Sequence, residues 1–106
     1  MPVPCRKLVR DRIPEIIQSE GRHPVTRVLD EASYREALLA KLTEEAQEAS
    51  YATVDGLPGE LVDVLEVLRA LTVTAGMSWD QLLALAENKR SQRGGFGRRI
   101  FLEEVE

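Results

Sequence analysis

Apolar residues recur every three or four positions through most of this chain, and short stretches containing glycine and proline interrupt the pattern. Residues with this spacing share one face of an α-helix, so the pattern is typical of amphipathic helices. Only 5% of the residues are aromatic, so the core has to consist mainly of leucine, valine, isoleucine and alanine. The chain is therefore predicted to be all-α, a bundle of about four helices that forms one domain over residues 1–106.

Glycine, proline and capping residues mark where these helices should begin and end. In chain order, we expect helices at residues 8–20, from a cap at Asp30 or Ser33 to about Tyr51 or Thr53, from the turn at 54–60 to about Ala75, and from Ser78 to the break at 93–97. Pro14 is acceptable in a first turn, so the regular part of the first helix should begin just before it. Asp55 is a candidate cap for the third helix, and Ser78 with Gln81 has the spacing of a capping box.

The second and third helices are expected to form the centre of the bundle. Their predicted inward residues are Ala37, Leu38, Leu42, Ala46 and Ala49, then Leu61, Val64, Leu65, Leu68, Leu71 and Thr72. A connection as short as the one between these helices makes them antiparallel neighbours.

Two segments outside the helices could be extended. Residues 25–29 follow Pro24, and residues 99–102 follow the glycine-containing break. We expect that these segments could pair as a short two-stranded β element beside the bundle.

Five carboxylates lie in two blocks on either side of the turn at 54–60. They are Glu44, Glu45 and Glu48, then Glu60 and Asp63. At about 100° per residue, acids three or four positions apart lie within about 60° of each other on a helix. The first block is late in one helix and the second is early in the next, so an antiparallel hairpin brings both blocks to the same level.

Carboxylates held this close repel each other and raise each other's proton affinity. A hard cation relieves the repulsion, and a set of oxygen ligands suits Mg²⁺, with Mn²⁺ able to substitute. The sequence therefore predicts a helical magnesium site. The alternative is that the acids form a solvated outer face of the bundle.

Other metals fit the residues less well. Di-iron bundles use Glu-x-x-His pairs, and zinc favours histidine or cysteine. The single histidine, His23, lies outside the expected helices, and the single cysteine, Cys5, precedes them. We interpret His23 as a loop residue, and Cys5 is a weak candidate for a thiol nucleophile.

Charge is distributed unevenly along the chain, although the net charge is −4. Residues 28–66 contain ten acidic and two basic residues, whereas all the charged residues of 89–99 are basic. The bases of that segment are Lys89, Arg90, Arg93, Arg98 and Arg99. Lys89 and Arg93 share a helix face and could bind phosphate, so the two blocks together favour a ligand that carries both metal and phosphate.

Three other interpretations of the basic segment stay open. Its charges could stabilise the C-terminal end of a helix, or complement the acidic face in an oligomer. The sequence RGGFGRR is also similar to arginine–glycine segments that bind RNA, but the single copy and the acidic net charge argue against a nucleic-acid partner.

The sequence also bears on compartment. No apolar run approaches the roughly 18 residues that a membrane span needs, and the N-terminus lacks the apolar stretch of a secretory signal. A single cysteine cannot form a disulfide within the chain, which fits a reducing compartment. We therefore expect a cytoplasmic protein without a membrane partner.

The chain resembles the all-α nucleoside triphosphate pyrophosphohydrolases, which include MazG-like proteins, phosphoribosyl-ATP pyrophosphohydrolase and dimeric dUTPases. The family pattern EExxE followed by ExxD matches Glu44, Glu45, Glu48, Glu60 and Asp63. The resemblance rests on KLTEEAQE (41–48), GELVDVLEVL (59–68) and KRSQRGGF (89–96). KLVRDRIPEII (7–17) is similar to the opening of small MazG-like proteins labelled phosphoribosyl-ATP pyrophosphohydrolase-like.

The resemblance implies a Mg²⁺-dependent hydrolase that cleaves between the α and β phosphates to give a nucleoside monophosphate and pyrophosphate. It implies Glu45, Glu48, Glu60 and Asp63 as metal ligands, and Glu44, Glu45 and Glu48 as catalytic residues. It also implies Lys41, Lys89 and Arg93 as phosphate contacts, and a homodimer or a dimer of dimers. The expected substrate is a non-canonical or surplus nucleotide, with phosphoribosyl-ATP as the alternative. A non-catalytic helical dimerisation module or an RNA-binding module is the alternative of a different class.

Overall fold

The fold is described for residues 5–106 of a computed structural model. Four helices follow one another along this part of the chain: α1 (Ile13–Ser19), α2 (Glu31–Tyr51), α3 (Leu57–Thr74) and α4 (Trp79–Arg93). No strand occurs between residues 5 and 106. The prediction of an all-α chain with about four helices is confirmed.

Local side-chain caps account for the starts of two of the four helices between residues 5 and 106. Asp30 is the N-cap of α2, and its Oδ1 accepts a hydrogen bond of 2.8 Å from the Ser33 amide. Ser78 and Gln81 form the predicted capping box at the start of α4, with bonds of 3.1 and 2.8 Å. Each contact satisfies an amide that the first turn of a helix leaves without a partner.

The predicted cap of α3 is wrong. The N-cap is Gly56, not Asp55, and no side chain caps the helix there. Instead the Gly56 amide donates a 3.2 Å hydrogen bond to Thr53 Oγ1, one turn earlier in the connection. The threonine hydroxyl thereby fixes the turn that Asp55 was expected to fix.

Helices α2 and α3 pack together as the predicted hairpin and bury the main apolar contacts of the described chain. Leu38 of α2 is 3% exposed, and Val67 of α3 is 7% exposed. Thr72 of α3 is also buried, and its hydroxyl donates to the Leu68 carbonyl oxygen at 2.6 Å. A polar side chain can lie in this core because its own helix satisfies it.

The inward face of α3 differs from the predicted one. Leu61, Leu65 and Leu68 were expected inside but are exposed, whereas Val67 is buried. The sequence of α3 is apolar around most of its circumference, so spacing alone does not determine which side meets α2. The result is a helix with one apolar face on α2 and a second apolar stripe turned outward.

Helices α1 and α4 are less embedded. Helix α1 packs against no other helix of residues 5–106, and α4 contacts only α3. The turn at Gly76, where φ is +76°, leads into that contact, and the Arg69 guanidinium lies 4.7 Å from the centre of the Trp79 ring. Every residue from Leu83 to Arg93 is exposed, so most of α4 extends away from the hairpin.

The predicted β element is not formed. Residues 25–29 and 99–102 carry no strand pairing, and Val28 is 98% exposed. Arg99 has a φ of +59°, which interrupts the extended conformation that a strand at 99–102 would need. A lone two-stranded ribbon is also marginal in water without a hydrophobic face to cover it.

The surface of the chain is large for its mass. It measures 9816 Å², whereas a compact monomer of 11.9 kDa exposes about 5,900 Å². The radius of gyration of 18.1 Å likewise exceeds the roughly 13 Å of a compact domain of this length. The chain therefore leaves much of its apolar surface uncovered by itself. Between residues 5 and 106, no helix combines the length and the apolar character needed to cross a bilayer.

Candidate metal centre

Three carboxylates converge at the end of the hairpin near the connection 52–56. Glu45 projects from α2, and Glu60 and Asp63 project from α3, each with an oxygen within 4.8 Å of the others. Glu60 and Asp63 are three residues apart and therefore share a face of α3. The antiparallel packing brings Glu45 opposite them, as the sequence predicted. We call these three residues the acidic centre.

The acidic centre is partly withdrawn from water. Glu45 is only 8% exposed, and Glu60 is half-buried. Within residues 5–106, Glu45 Oε2 and Glu60 Oε2 are buried without a hydrogen-bond partner. Burying a charged oxygen without a partner costs free energy. A bound cation or a proton would therefore stabilise these two oxygens.

The surroundings of Glu45 favour the protonated form of its carboxyl group. Burial is the main cause that raises the pKa of the Glu45 carboxyl above its usual range, followed by the negative charge of Glu48. Asp63 acts in the same direction more weakly, while the Lys41 ammonium opposes it. A divalent cation would replace the proton that this environment favours.

The donor set fits a hard cation. All three side chains of the acidic centre offer carboxylate oxygens, and Mg²⁺ and Mn²⁺ prefer oxygen ligands. Glu45, Glu60 and Asp63 are thus the residues that would hold such an ion. Two of them already present a buried oxygen with no other partner in the described chain.

Two predicted acids lie beside the centre and not in it. Glu44 and Glu48 are both exposed, and neither belongs to the group of three converging carboxylates. Glu48 is near enough for its charge to affect Glu45. Its predicted role as a metal ligand, and that of Glu44 as a catalytic residue, stay predictions.

Lys41 contacts the acidic residues of its own helix. Its ammonium nitrogen lies 3.6 Å from Glu45 Oε1 and 3.8 Å from Glu44 Oε2. The lysine is one turn before both acids, which explains the two contacts. Lys41 is therefore positioned beside the acidic centre, where the predicted phosphate contact would be needed.

The other two predicted phosphate contacts lie elsewhere in the chain. Lys89 and Arg93 line an open groove at the end of α4. The remaining lining residues are Ala86, Arg90, Gly94, Gly95 and Phe96. No residue of the acidic centre lines this groove, so one chain does not join its acidic and basic blocks there.

An unpredicted cation reaches the acidic centre from the N-terminal part of the chain. Arg10 Nη2 lies 2.7 Å from Asp63 Oδ1, in an ion pair between residues 53 positions apart. Spacing along a helix cannot reveal such a contact, because Arg10 precedes α1 and Asp63 belongs to α3. The concentration of charge in KLVRDR (7–12) was the sole local signal.

Comparisons with known proteins leave the family open. The chain matches no protein-family model and no solved structure. It is 57% identical over 42 residues to a protein of Mycolicibacterium smegmatis that is described as uncharacterized. The matched stretch covers 40% of this chain and 43% of that relative.

Proposed function

We propose that this chain is a Mg²⁺-dependent nucleoside triphosphate pyrophosphohydrolase that releases pyrophosphate and a nucleoside monophosphate. The observation that supports it most is the acidic centre, in which Glu45 and Glu60 each bury an oxygen without a partner. The EExxE and ExxD pattern, through which the sequence resembles this enzyme family, supplies the reaction type.

The residues of the chain divide the work as follows. Glu45, Glu60 and Asp63 would hold the ion, which when bound supplies a positive charge to phosphate oxygens and a more acidic water. We propose that the exposed Glu48 and Glu44 accept a proton from a water near the centre. Lys41 would offset negative charge on the phosphates from the α2 side.

The substrate class follows from the resemblance and not from the geometry. We favour a non-canonical or surplus nucleoside triphosphate, and phosphoribosyl-ATP is the alternative. The cytoplasm is the compartment where such nucleotides occur, and a chain with a single cysteine suits it.

We also propose that the working form is a homodimer or a dimer of dimers. The support is the surface of 9816 Å², which exceeds that of a compact monomer by an area that a second copy could cover. The outward stripe of Leu61, Leu65 and Leu68 on α3 is the apolar surface that would meet the partner.

The decisive experiment measures pyrophosphate release from a panel of canonical and damaged nucleoside triphosphates and phosphoribosyl-ATP, with Mg²⁺ or with a chelator. Release from one of them is expected with Mg²⁺ only. Glu60→Gln and Asp63→Asn should each lower kcat/KM by at least about 100-fold, because each removes charge from the centre. Glu66→Gln is the matched control, since Glu66 is an exposed acid of the same helix outside the centre.

Two rival functions make different predictions. The exposed apolar surface also fits a helical dimerisation module. Such a module would form dimers whose melting temperature does not change when Mg²⁺ and nucleotide are added. An RNA-binding module would retain single strands in a salt-sensitive way and lose them when Arg93, Arg98 and Arg99 are neutralised. Either result without pyrophosphate release would contradict the enzyme proposal.

A further inference from the structure

The N-terminal segment 7–12 meets the acidic centre through Arg10. The guanidinium of Arg10 donates a hydrogen bond of 2.7 Å from Nη2 to Asp63 Oδ1. Helix α1, which follows the segment, packs against no other helix of the described residues. This ion pair is therefore a specific polar link between the segment and the hairpin.

The pair is too exposed for fold stability to explain it. The side chains of Arg10 and Asp63 are 51% and 44% exposed. Ion pairs in this environment stabilise a fold little, because water and salt screen them. A small contribution to stability is compatible with a second role for Arg10 at the acidic centre.

The guanidinium keeps most of its binding capacity. Arginine carries five N–H donors in a planar fork, and the contact with Asp63 is made by Nη2 to one oxygen. The Arg10 side chain as a whole is half-exposed beside the acidic centre, and an arginine fork matches the oxygens of a phosphate.

Two cations consequently flank the acidic centre from different elements. Lys41 contacts Glu45 from within α2, and Arg10 contacts Asp63 from the N-terminal segment. Lys89 and Arg93 lie in the groove of α4, which no acid of the centre lines. Within one chain, Arg10 is thus better placed than either of them to meet phosphates at the centre.

We propose that Arg10 is a substrate-binding residue whose free N–H donors bind the polyphosphate of the nucleotide held at the acidic centre. The proposal rests on the proposed function and adds the N-terminal segment to its site. Arg10 keeps its contact with Asp63 through one donor and offers the others to phosphate oxygens.

The test combines calorimetry and steady-state kinetics on the full chain. Calorimetry follows the binding of inorganic tripolyphosphate in Mg²⁺ and of Mg²⁺ alone, and steady-state kinetics follow kcat and KM for the substrate found in the panel. The variants are Arg10→Ala and Arg10→Lys. Arg12→Ala is the matched control, because Arg12 lies in the same segment but pairs with Glu15 of α1 at 2.7 Å.

Arg10→Ala should weaken tripolyphosphate binding and raise KM by about tenfold or more, without weakening the binding of Mg²⁺ alone. Arg10→Lys should recover part of the loss, since it keeps the charge without the fork. Arg12→Ala should match the unmodified chain, and circular dichroism should show equal helix content in all variants.

Equal tripolyphosphate binding by Arg10→Ala and Arg12→Ala would overturn the proposal. A loss confined to Mg²⁺ binding would also overturn it, because Arg10 would then act only by orienting Asp63. Failure of the unmodified chain to bind tripolyphosphate would do the same. A different outcome would separate the two proposals: Arg10-dependent binding of tripolyphosphate without pyrophosphate release from any nucleotide. That result would refute the enzyme proposal and still support a phosphate-binding site at Arg10.

Discussion

The hairpin of α2 and α3 differs sharply from the C-terminal region, which comprises α4 and residues 94–106. The hairpin buries Leu38 and Val67 and holds the acidic centre. In the C-terminal region no residue is buried, and Phe96 and Phe101 are exposed. The hairpin contains its own packing partner, whereas the C-terminal region presents apolar side chains that nothing in residues 5–106 covers.

The charges of the two regions differ as well. Acids converge in the hairpin, while Lys89, Arg90 and Arg93 line the groove of α4. Because the groove and the acidic centre share no residue, each region presents its charge separately. Antiparallel packing thus gathers acids from two helices in the hairpin, whereas the bases of the groove all come from α4 and the residues just after it.

The largest expected effect concerns assembly. If a second copy covers the outward stripe of α3, Leu61→Glu should convert the dimer to a monomer, since it places a charge in an apolar interface. Val54→Glu is the control, because Val54 is exposed in the connection between α2 and α3. Analytical ultracentrifugation over a concentration series measures the outcome, and an unmodified chain that stays monomeric throughout would contradict it.

The next effect compares core positions. Leu38→Ala should lower the free energy of unfolding by about 2–5 kcal/mol, the usual cost of truncating a buried leucine. Leu85→Ala in the exposed part of α4 should cost no more than about 0.5 kcal/mol. Urea titrations at low protein concentration provide both values, and equal losses would remove the contrast between the two regions.

A smaller effect should appear in the pH dependence of stability. The pKa of Glu45 is raised by burial. As the pH rises, the unfolded chain therefore releases the Glu45 proton at a lower pH than the folded chain does. The contribution of the Glu45 proton to stability is therefore fully present below the ordinary pKa of glutamate. It is lost as the pH rises through the raised pKa of Glu45 in the folded chain. With a chelator present, Glu45→Gln should gain stability over the unmodified chain at pH 8, on the order of 1 kcal/mol, and little at pH 4.

With Mg²⁺ added at pH 8, the unmodified chain should instead be more stable than Glu45→Gln, because the ion binds the carboxylate and not the amide. Melting curves at the two pH values, with chelator or with Mg²⁺, separate the two effects. A Glu45→Gln variant that is less stable than the unmodified chain under chelator at pH 8 would show that Glu45 is not an unfavourable buried charge.

The smallest effect tests the start of α4. Ser78→Ala removes the side chain that accepts from the Gln81 amide and should cost about 0.5–1 kcal/mol. Asp30→Ala is the corresponding change for α2, where the Asp30 carboxylate accepts from the Ser33 amide. Hydrogen exchange at the first turn of each helix reports the loss, and unchanged protection in Ser78→Ala would indicate that the capping box does not hold α4.

Local sequence signals predicted what depends on neighbours within one turn of a helix. The capping box of Ser78 and Gln81 is confirmed, and of the two candidate caps of α2, Asp30 and Ser33, the structure selects Asp30. Each of these caps needs only residues three positions apart. The same holds for the face shared by Glu60 and Asp63. The cap at Asp55 was wrong because Pro58, three positions on, has no N–H, and the Leu57 amide donates to the Thr53 carbonyl oxygen instead.

Spacing failed where more than one arrangement satisfied it. The apolar residues of α3 allowed several inward faces, and packing against α2 selected the one with Val67. The predicted β pairing of 25–29 with 99–102 required two separate segments to meet, and no hydrophobic face brings them together within residues 5–106.

The amino-acid sequence by itself determined the helices and the hairpin, because helical spacing and a short connection leave little freedom. It also predicted that acids of both helices meet, although it predicted five acids at the site and the structure brings three together. Only the tertiary structure decided which face of α3 is buried, that the Glu45 side chain is largely buried, and that Arg10 contacts Asp63. These features depend on side chains far apart in the chain, and their contacts exist only after the helices have packed.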